Sequence, residues 1–237
     1  MDVFIFLLFA AAAIGAVTYI PVVGAYFSMF NTLIHESGHA LAAAISGGRV
    51  TSISLFQSTE GAAAAHHHRF GMILTALSGY PFASIFAVCF LFLCANQWFI
   101  SAAIMLLIVL SYNLLFWVRN IYGIFWIVSV LFLGYFIWYF NFLPFLNYLL
   151  TGIAFVLVTQ SFLSCWHIFL LSVRRPKQAG DASILAKLTY IPAAVWGLLF
   201  LLQGSILFLT GCALWIDIDF YNYLSLDLLN TLERRVK

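Results

Sequence analysis

Residues His35-Glu36-Ser37-Gly38-His39 have the composition and spacing of a hydrolytic metal site. On a helix, His35 and His39 lie one turn apart on the same face, so each imidazole can give one nitrogen to a zinc ion. Glu36 can reach a water molecule at the metal and act as a general base. With 6 His among 237 residues, random placement would produce this H-E-x-x-H pattern about 0.002 times per chain. The motif therefore predicts a functional site.

Structural roles for the same side chains remain as alternatives. The two histidines could instead form hydrogen bonds between helices. Asn31 lies one turn before His35 on the same face. It is expected either to orient a ligand or stabilise an oxyanion, or to make an interhelical hydrogen bond.

The composition places this motif in a membrane protein. Hydrophobic residues make up 65% of the chain and charged residues 8%, with a mean hydropathy of +1.06, whereas a soluble fold carries about 25% charged residues. We predict an all-α polytopic membrane protein with the lipid bilayer around it. Ten Lys and Arg residues and a net charge of +2 exclude a nucleic-acid partner. A carboxylate within a membrane costs several kcal/mol unless it is paired, hydrated or metal-bound, so Glu36 needs a partner.

Apolar runs of about 20 residues predict six to seven transmembrane helices in a single domain, residues 1–215. The runs lie near 3–20, 26–46, 71–94, 98–118, 121–140, 148–172 and 190–214. The first is interpreted as a retained helix, because no clear signal-peptide cleavage pattern follows it. The polar tail, 216–237, is expected to be an interfacial helix on the outer face.

Basic residues predict the orientation of these spans. If seven spans alternate, one side receives Arg49, Arg69, Arg119, Arg174, Arg175, Lys177 and Lys187. Because cytoplasmic loops are enriched in basic residues, we predict a cytoplasmic N-terminus. His39 precedes the glycine pair at 47–48 by eight residues, which places it about 12 Å inside the cytoplasmic boundary.

Two segments near this boundary depart from the helical pattern. Residues 47–60 begin with two glycines and continue with β-branched residues in partial alternation with serines, which predicts a short β-hairpin. The run His66-His67-His68 before the third span is either a solvated segment or a gating or metal-delivery element.

Several motifs together resemble those of the site-2 proteases, which are intramembrane zinc metallopeptidases. They are His35-Glu36-Ser37-Gly38-His39-Ala40, the strand-like 47–50, Ser78-Gly79-Tyr80, Arg119-Asn120-x-x-Gly123, and a stretch from Asp181 through Thr189 and Pro192 to Trp196. The resemblance covers most of residues 26–200 and is greatest to a compact bacterial branch without a PDZ domain. It implies a bacterial inner-membrane location, one Zn²⁺ per chain, and cleavage of a membrane protein or peptide in or near its transmembrane segment. The implied roles are metal ligands for His35 and His39 and catalysis for Glu36.

The third zinc ligand is not fixed by the resemblance. Better-known members supply an aspartate where this chain has Asn120, and a neutral amide is a poor zinc ligand beside a carboxylate. Asp181 is the leading candidate, although an aspartate at the start of a helical stretch also suits an N-cap. His167 lies at a depth close to that of His39 and is a further candidate, with interhelical bonding as its alternative.

Two other functions remain open. The chain could be a catalytically inactive site-2-protease-like scaffold that binds client helices. It could also be a small metal or solute transporter that uses the intramembrane histidines as a relay. The lack of paired, broken helices in the sequence makes a transporter the weaker alternative.

Overall fold

A computed structural model describes residue 20 and residues 23–56, 61–66 and 68–236, without the side chains of 62–66 and 218–236. Seven α-helices and two strands follow one another. They are α1 (Val23–Ile45), β1 (Arg49–Leu55), β2 (Gly61–His66), α2 (Arg69–Ala95), α3 (Phe99–Tyr112), α4 (Ile121–Tyr139), α5 (Leu143–Arg174), α6 (Gly180–Thr189) and α7 (Ala193–Val236). A π-helical turn, Asn113–Trp117, extends α3, and a short 3₁₀ turn, Pro176–Gln178, precedes α6.

Five segments in the described part are long and apolar enough to cross a membrane: Arg69–Ala95, Phe99–Trp117, Ile121–Tyr139, Leu143–Arg174 and Ala193–Asp217. These correspond to five of the seven predicted spans, and the all-α polytopic fold is confirmed. The predicted first span, 3–20, lies outside the described residues. Helix α1 forms as predicted but is not among the five, because the polar residues of the H-E-x-x-H motif lower its hydropathy.

The predicted hairpin is present, but its second strand, Gly61–His66, lies entirely after the predicted segment 47–60. Strands β1 and β2 are antiparallel, and Leu55 is paired with Gly61. Most of β2 is a run of alanines, a residue with low strand propensity. Pairing with β1 therefore fixes the conformation of β2, and the alanines alone could not have indicated it.

The other edge of β1 is occupied by the segment that follows the π-helical turn. Val118 forms a parallel bridge with Ile53, and the Arg119 amide donates to the Ile53 carbonyl at 3.3 Å. Ile53, Leu55 and Val118 are fully buried. Strand β1 is thus an inner strand packed against α1, while β2 is the outer strand of the described hairpin.

Small residues allow close helix contacts around α1 and α7. A Cβ atom at Gly38 of α1 would lie 2.7 Å from the Cβ of Phe82 in α2. On α7, Gly204 faces Cys165 and Gly197 faces Ser172, both on α5. The two glycines are seven residues apart on α7, and Cys165 and Ser172 are seven residues apart on α5. Seven residues are close to two helical turns, so both contacts lie on one face of each helix.

The polar tail is a continuation of α7, whose backbone is helical to Val236. The interfacial position of the tail stays a prediction.

Candidate metal centre

Three side chains from two helices converge at the H-E-x-x-H motif. The Nε2 atoms of His35 and His39 on α1 are 3.0 Å apart. The Asp181 carboxylate of α6 lies 3.4 Å from Nε2 of His35 and 3.2 Å from Nε2 of His39. The three residues form a group whose ligand atoms could hold one metal ion.

The spacing and chemistry of these atoms fit zinc. Ligand bonds of about 2.0–2.1 Å in a tetrahedral site place neighbouring ligand atoms about 3.3 Å apart, close to the observed 3.0–3.4 Å. Nδ1 of His39 donates to the Thr75 carbonyl at 2.7 Å, which leaves Nε2 as the nitrogen that faces Asp181. Two imidazoles and one carboxylate would leave a fourth position open.

Helix α2 approaches the two imidazoles through a glycine. A Cβ atom at Gly79 would lie 2.5 Å from Cε1 of His39 and 2.6 Å from Cε1 of His35. The neighbouring Ser78 hydroxyl lies within hydrogen-bond distance of two carbonyls, at 3.0 Å from Gly38 of α1 and 2.7 Å from Thr75 of α2, which brings α2 close to α1. The ring of Tyr80 contacts that of His35, with centroids 4.5 Å apart. The Ser78-Gly79-Tyr80 motif thus forms one wall of the centre.

The alternative role of Asp181 as an N-cap is wrong. Helix α6 begins at Gly180, its N-cap is Ala179, and Asp181 lies in its first turn with the carboxylate directed at the histidines. Burial would raise the pKa of this carboxyl, but the charge interaction with His39 and hydrogen bonds from His35 and His39 hold that pKa well below its usual range. Asp181 is therefore ionised, which is the form that binds a metal.

Glu36 is buried beside the hairpin, with 6% of its surface exposed. A Cβ atom at Gly61, the first residue of β2, would lie 2.5 Å from Cγ of Glu36 and 2.6 Å from its Oε1. The absence of a side chain at Gly61 therefore leaves the space that the Glu36 carboxylate occupies.

The other candidate residues lie outside the three-residue group. Nδ2 of Asn31 donates to the Ser164 hydroxyl of α5 at 3.1 Å, which is the interhelical alternative expected for it. Asn120 bonds the main chain of Leu55 in the hairpin. His167 is exposed on α5. Of the histidine run, His67 is outside the described residues and His68 is exposed immediately before α2.

Sequence reasoning missed Asn113 and Thr75. Asn113 is buried, and its Nδ2 donates to the Ser37 hydroxyl at 2.9 Å, next to Glu36. The available signal is its position as a polar residue in an apolar run, seven residues before Asn120. Thr75 acts through its main-chain carbonyl. Every residue has a main-chain carbonyl, so the residue type at position 75 could not indicate this contact.

The apolar helices are those of an integral membrane protein, and the His-His-Asp group beside a glutamate could hold a metal ion. A family model described as Peptidase M50B-like matches residues 7–211. The chain belongs to this family, which is of the intramembrane metalloprotease type and depends on zinc in general, and the resemblance to site-2 proteases is confirmed. No curated protein and no solved structure matches the chain significantly.

Proposed function

We propose that this protein is an intramembrane zinc metalloprotease that hydrolyses a peptide bond in or near a transmembrane segment of a membrane protein or peptide. The observation that supports it is the convergence of His35, His39 and Asp181 within 3.4 Å of one another beside the buried Glu36. Family membership alone would be compatible with an inactive scaffold. A complete set of three ligands and a base favours the enzyme.

Each residue has a defined role in this proposal. His35, His39 and Asp181 hold one zinc ion, which when bound polarises the substrate carbonyl and lowers the pKa of water. Glu36 accepts a proton from the attacking water and returns it to the leaving amine. Thr75 holds the tautomer of His39 through its carbonyl. The burial of Glu36 limits its contact with bulk solvent.

The substrate must reach this site in an extended conformation. Backbone groups of a membrane helix are already paired within the helix, so the helix has to unwind to expose a carbonyl. An extended segment can then pair with a free strand edge. Both edges of β1 are occupied by β2 and by Val118–Arg119. The substrate strand is therefore assigned to the outer edge of β2, whose first residue, Gly61, contacts Glu36.

The location in the cell follows from the charges at the hairpin end of the bundle. The loops at this end carry seven of the ten Lys and Arg residues, so it faces the cytoplasm by the positive-inside rule. The other three, Arg234, Arg235 and Lys237, lie about 20 residues past the last span, where basic residues have little effect on topology. We assign the protein to the inner membrane of a bacterium, with a cytoplasmic N-terminus.

The proposal is tested by cleavage of a reporter with one membrane span that contains a Gly-Pro pair to favour unwinding. Purified wild type, reconstituted with zinc and this reporter, should release two fragments. Glu36→Gln should reduce the rate by at least about 100-fold, because the base is lost, while zinc content stays unchanged.

Glu60→Gln serves as the matched control, because it makes the same chemical change in the segment just before β2. Equal cleavage by wild type and Glu36→Gln would contradict catalysis at this site. Transport of a metal that survives Glu36→Gln, without any cleavage, would favour the transporter.

A further inference from the structure

We propose that Asn120 is a positioning residue: its side-chain amide clamps the end of β1 and thereby holds Gly61 of β2 against the Glu36 carboxylate. The inference rests on the proposed function, since it concerns the geometry of the same base. It assigns a role to the residue that stands where related enzymes supply a metal ligand.

The amide of Asn120 bonds both main-chain groups of one residue. The Leu55 amide donates to Oδ1 of Asn120 at 3.1 Å, and Nδ2 of Asn120 donates to the Leu55 carbonyl. A neighbouring strand offers the same pair of groups to its partner. Two bonds to one residue fix its rotation as well as its position, so the side chain replaces a strand partner at the end of β1.

Only one strand pairing separates this clamp from the base. Leu55 is paired with Gly61, and the Gly61 backbone lies against Glu36, where an added Cβ would come within 2.5 Å of Cγ. A shift of Leu55 therefore changes the gap between the hairpin and Glu36. In our proposal, Gly61 is the first residue of the strand whose outer edge receives the substrate.

The clamp itself is held at both ends of the segment 113–120. At one end, Asn113 bonds Ser37, the residue after Glu36 on α1. At the other end, a Cβ atom at Gly123 would lie 2.7 Å from Oδ1 of Asn120, so a side chain there would displace the amide. The segment is therefore attached to α1 through Asn113 and to the hairpin through Asn120.

The chemistry of the clamp requires an amide. An aspartate could still accept from the Leu55 amide, but it has no donor for the Leu55 carbonyl and would place a negative charge beside it. Asn120→Asp therefore discriminates the clamp from a ligand position, because an aspartate at a ligand position would bind metal.

The first experiment measures hydrogen exchange in detergent-purified protein. Asn120→Asp should speed amide exchange in residues 49–66 by at least about 10-fold, because one partly buried hydrogen bond is lost and the Leu55 carbonyl loses its Asn120 donor, while exchange in α2 and α5 and zinc content stay unchanged. Gly123→Ala should loosen the same segment. Asn96→Asp is the matched control, since the side chain of this asparagine donates to the Phe92 carbonyl of its own helix and lies far from the hairpin in sequence.

The second experiment combines Asn120→Asp with Asp181→Ala and measures bound zinc. The clamp predicts that Asp181→Ala loses zinc and that the added aspartate does not restore it. Restored zinc would overturn the proposal, and so would unchanged exchange in residues 49–66 or equal loosening of α2 and α5.

With the single-span reporter, Asn120→Asp should lower kcat by up to about 100-fold through misplacement of the reacting groups, at full zinc occupancy. Unchanged kcat would overturn the proposal. If the wild type cleaves no reporter, the proposed protease function fails, whereas the exchange and zinc experiments still decide whether Asn120 is a clamp.

Discussion

The imidazoles of His35 and His39 are positioned mainly by main-chain groups of α2. The Thr75 carbonyl accepts from Nδ1 of His39, and the bare Cα of Gly79 allows both rings to approach α2. These contacts fix the rings from the side opposite their own helix. The metal site is therefore a property of the α1–α2 contact as much as of the H-E-x-x-H motif.

Gly79→Ala should weaken zinc binding by about 10- to 100-fold, the range typical of lost support around a metal ligand. The added methyl group would lie 2.5–2.6 Å from both imidazoles, so the rings or the helix must move. The measurement is a competition titration with a zinc chelator. Gly134→Ala is the control, because a Cβ there meets nothing within 4 Å. Equal zinc affinity in both variants would contradict this role of Gly79.

At the residue scale, side-chain chemistry could be predicted and main-chain contacts could not. His35, Glu36 and His39 stand out because their types and spacing are rare in an apolar chain. Asp181 could be nominated because carboxylates are scarce. Sequence does not show that Asn120 bonds Leu55, because an asparagine in a loop has the same signature whether it binds a metal, a strand or water.

Among the elements, the hairpin and α6 complete the site that α1 begins. Helix α6 delivers Asp181, and its C-terminus is tied to α2 by Arg69, whose guanidinium donates to the Leu188 carbonyl. The hairpin places Gly61 at Glu36. Both elements lie in segments that join the long apolar helices, so the residues of the site depend on two short connecting elements.

Proline scanning of β2 tests the assignment of the substrate to its outer edge. Neighbouring residues in a strand direct their N–H groups to opposite edges, so Ala63→Pro and Ala64→Pro remove donors from different sides. The variant that loses the outward donor should lose reporter cleavage while keeping zinc and hairpin protection. The other should lose hairpin protection. Full cleavage by both variants would contradict strand addition.

Proline at Ile53 or Leu55 of β1 would not test this assignment. Both side chains are fully buried on the inner strand, so proline there would disrupt the core. The hairpin was predictable from the β-branched residues of β1. The second strand was not predictable, because the alanine run 62–65 has low strand propensity and is held in the strand by its pairing with β1.

Across the whole molecule, the two ends of the bundle differ in composition. The hairpin, residues 118–120 and α6 share the end that carries seven of the ten Lys and Arg residues. At the opposite end, exposed aromatic residues lie at the end of α4 and the start of α5, including Trp138, Tyr139 and Tyr148. Aromatic rings of this kind anchor proteins at the membrane interface. This difference between the two ends was predictable from sequence, because it depends on which residues the loops contain and not on how the helices pack.

Cysteine labelling in intact cells tests the orientation. In a variant without the native cysteines, Gln97→Cys in the α2–α3 turn should react with a membrane-impermeant maleimide, and Gln178→Cys before α6 should react only after the membrane is opened. Both residues are exposed, so a difference in their labelling reports the side of the membrane and not burial within the protein. The reverse pattern would contradict a cytoplasmic hairpin end.

Bound zinc in purified protein tests the central claim most directly. Wild type should hold about one zinc per chain, as expected for a single three-ligand site. His35→Ala and Asp181→Ala should lose it, and Asp217→Ala, which removes an exposed carboxylate at the end of the last span, should keep it. Stoichiometric zinc in Asp181→Ala, or none in wild type, would contradict the account.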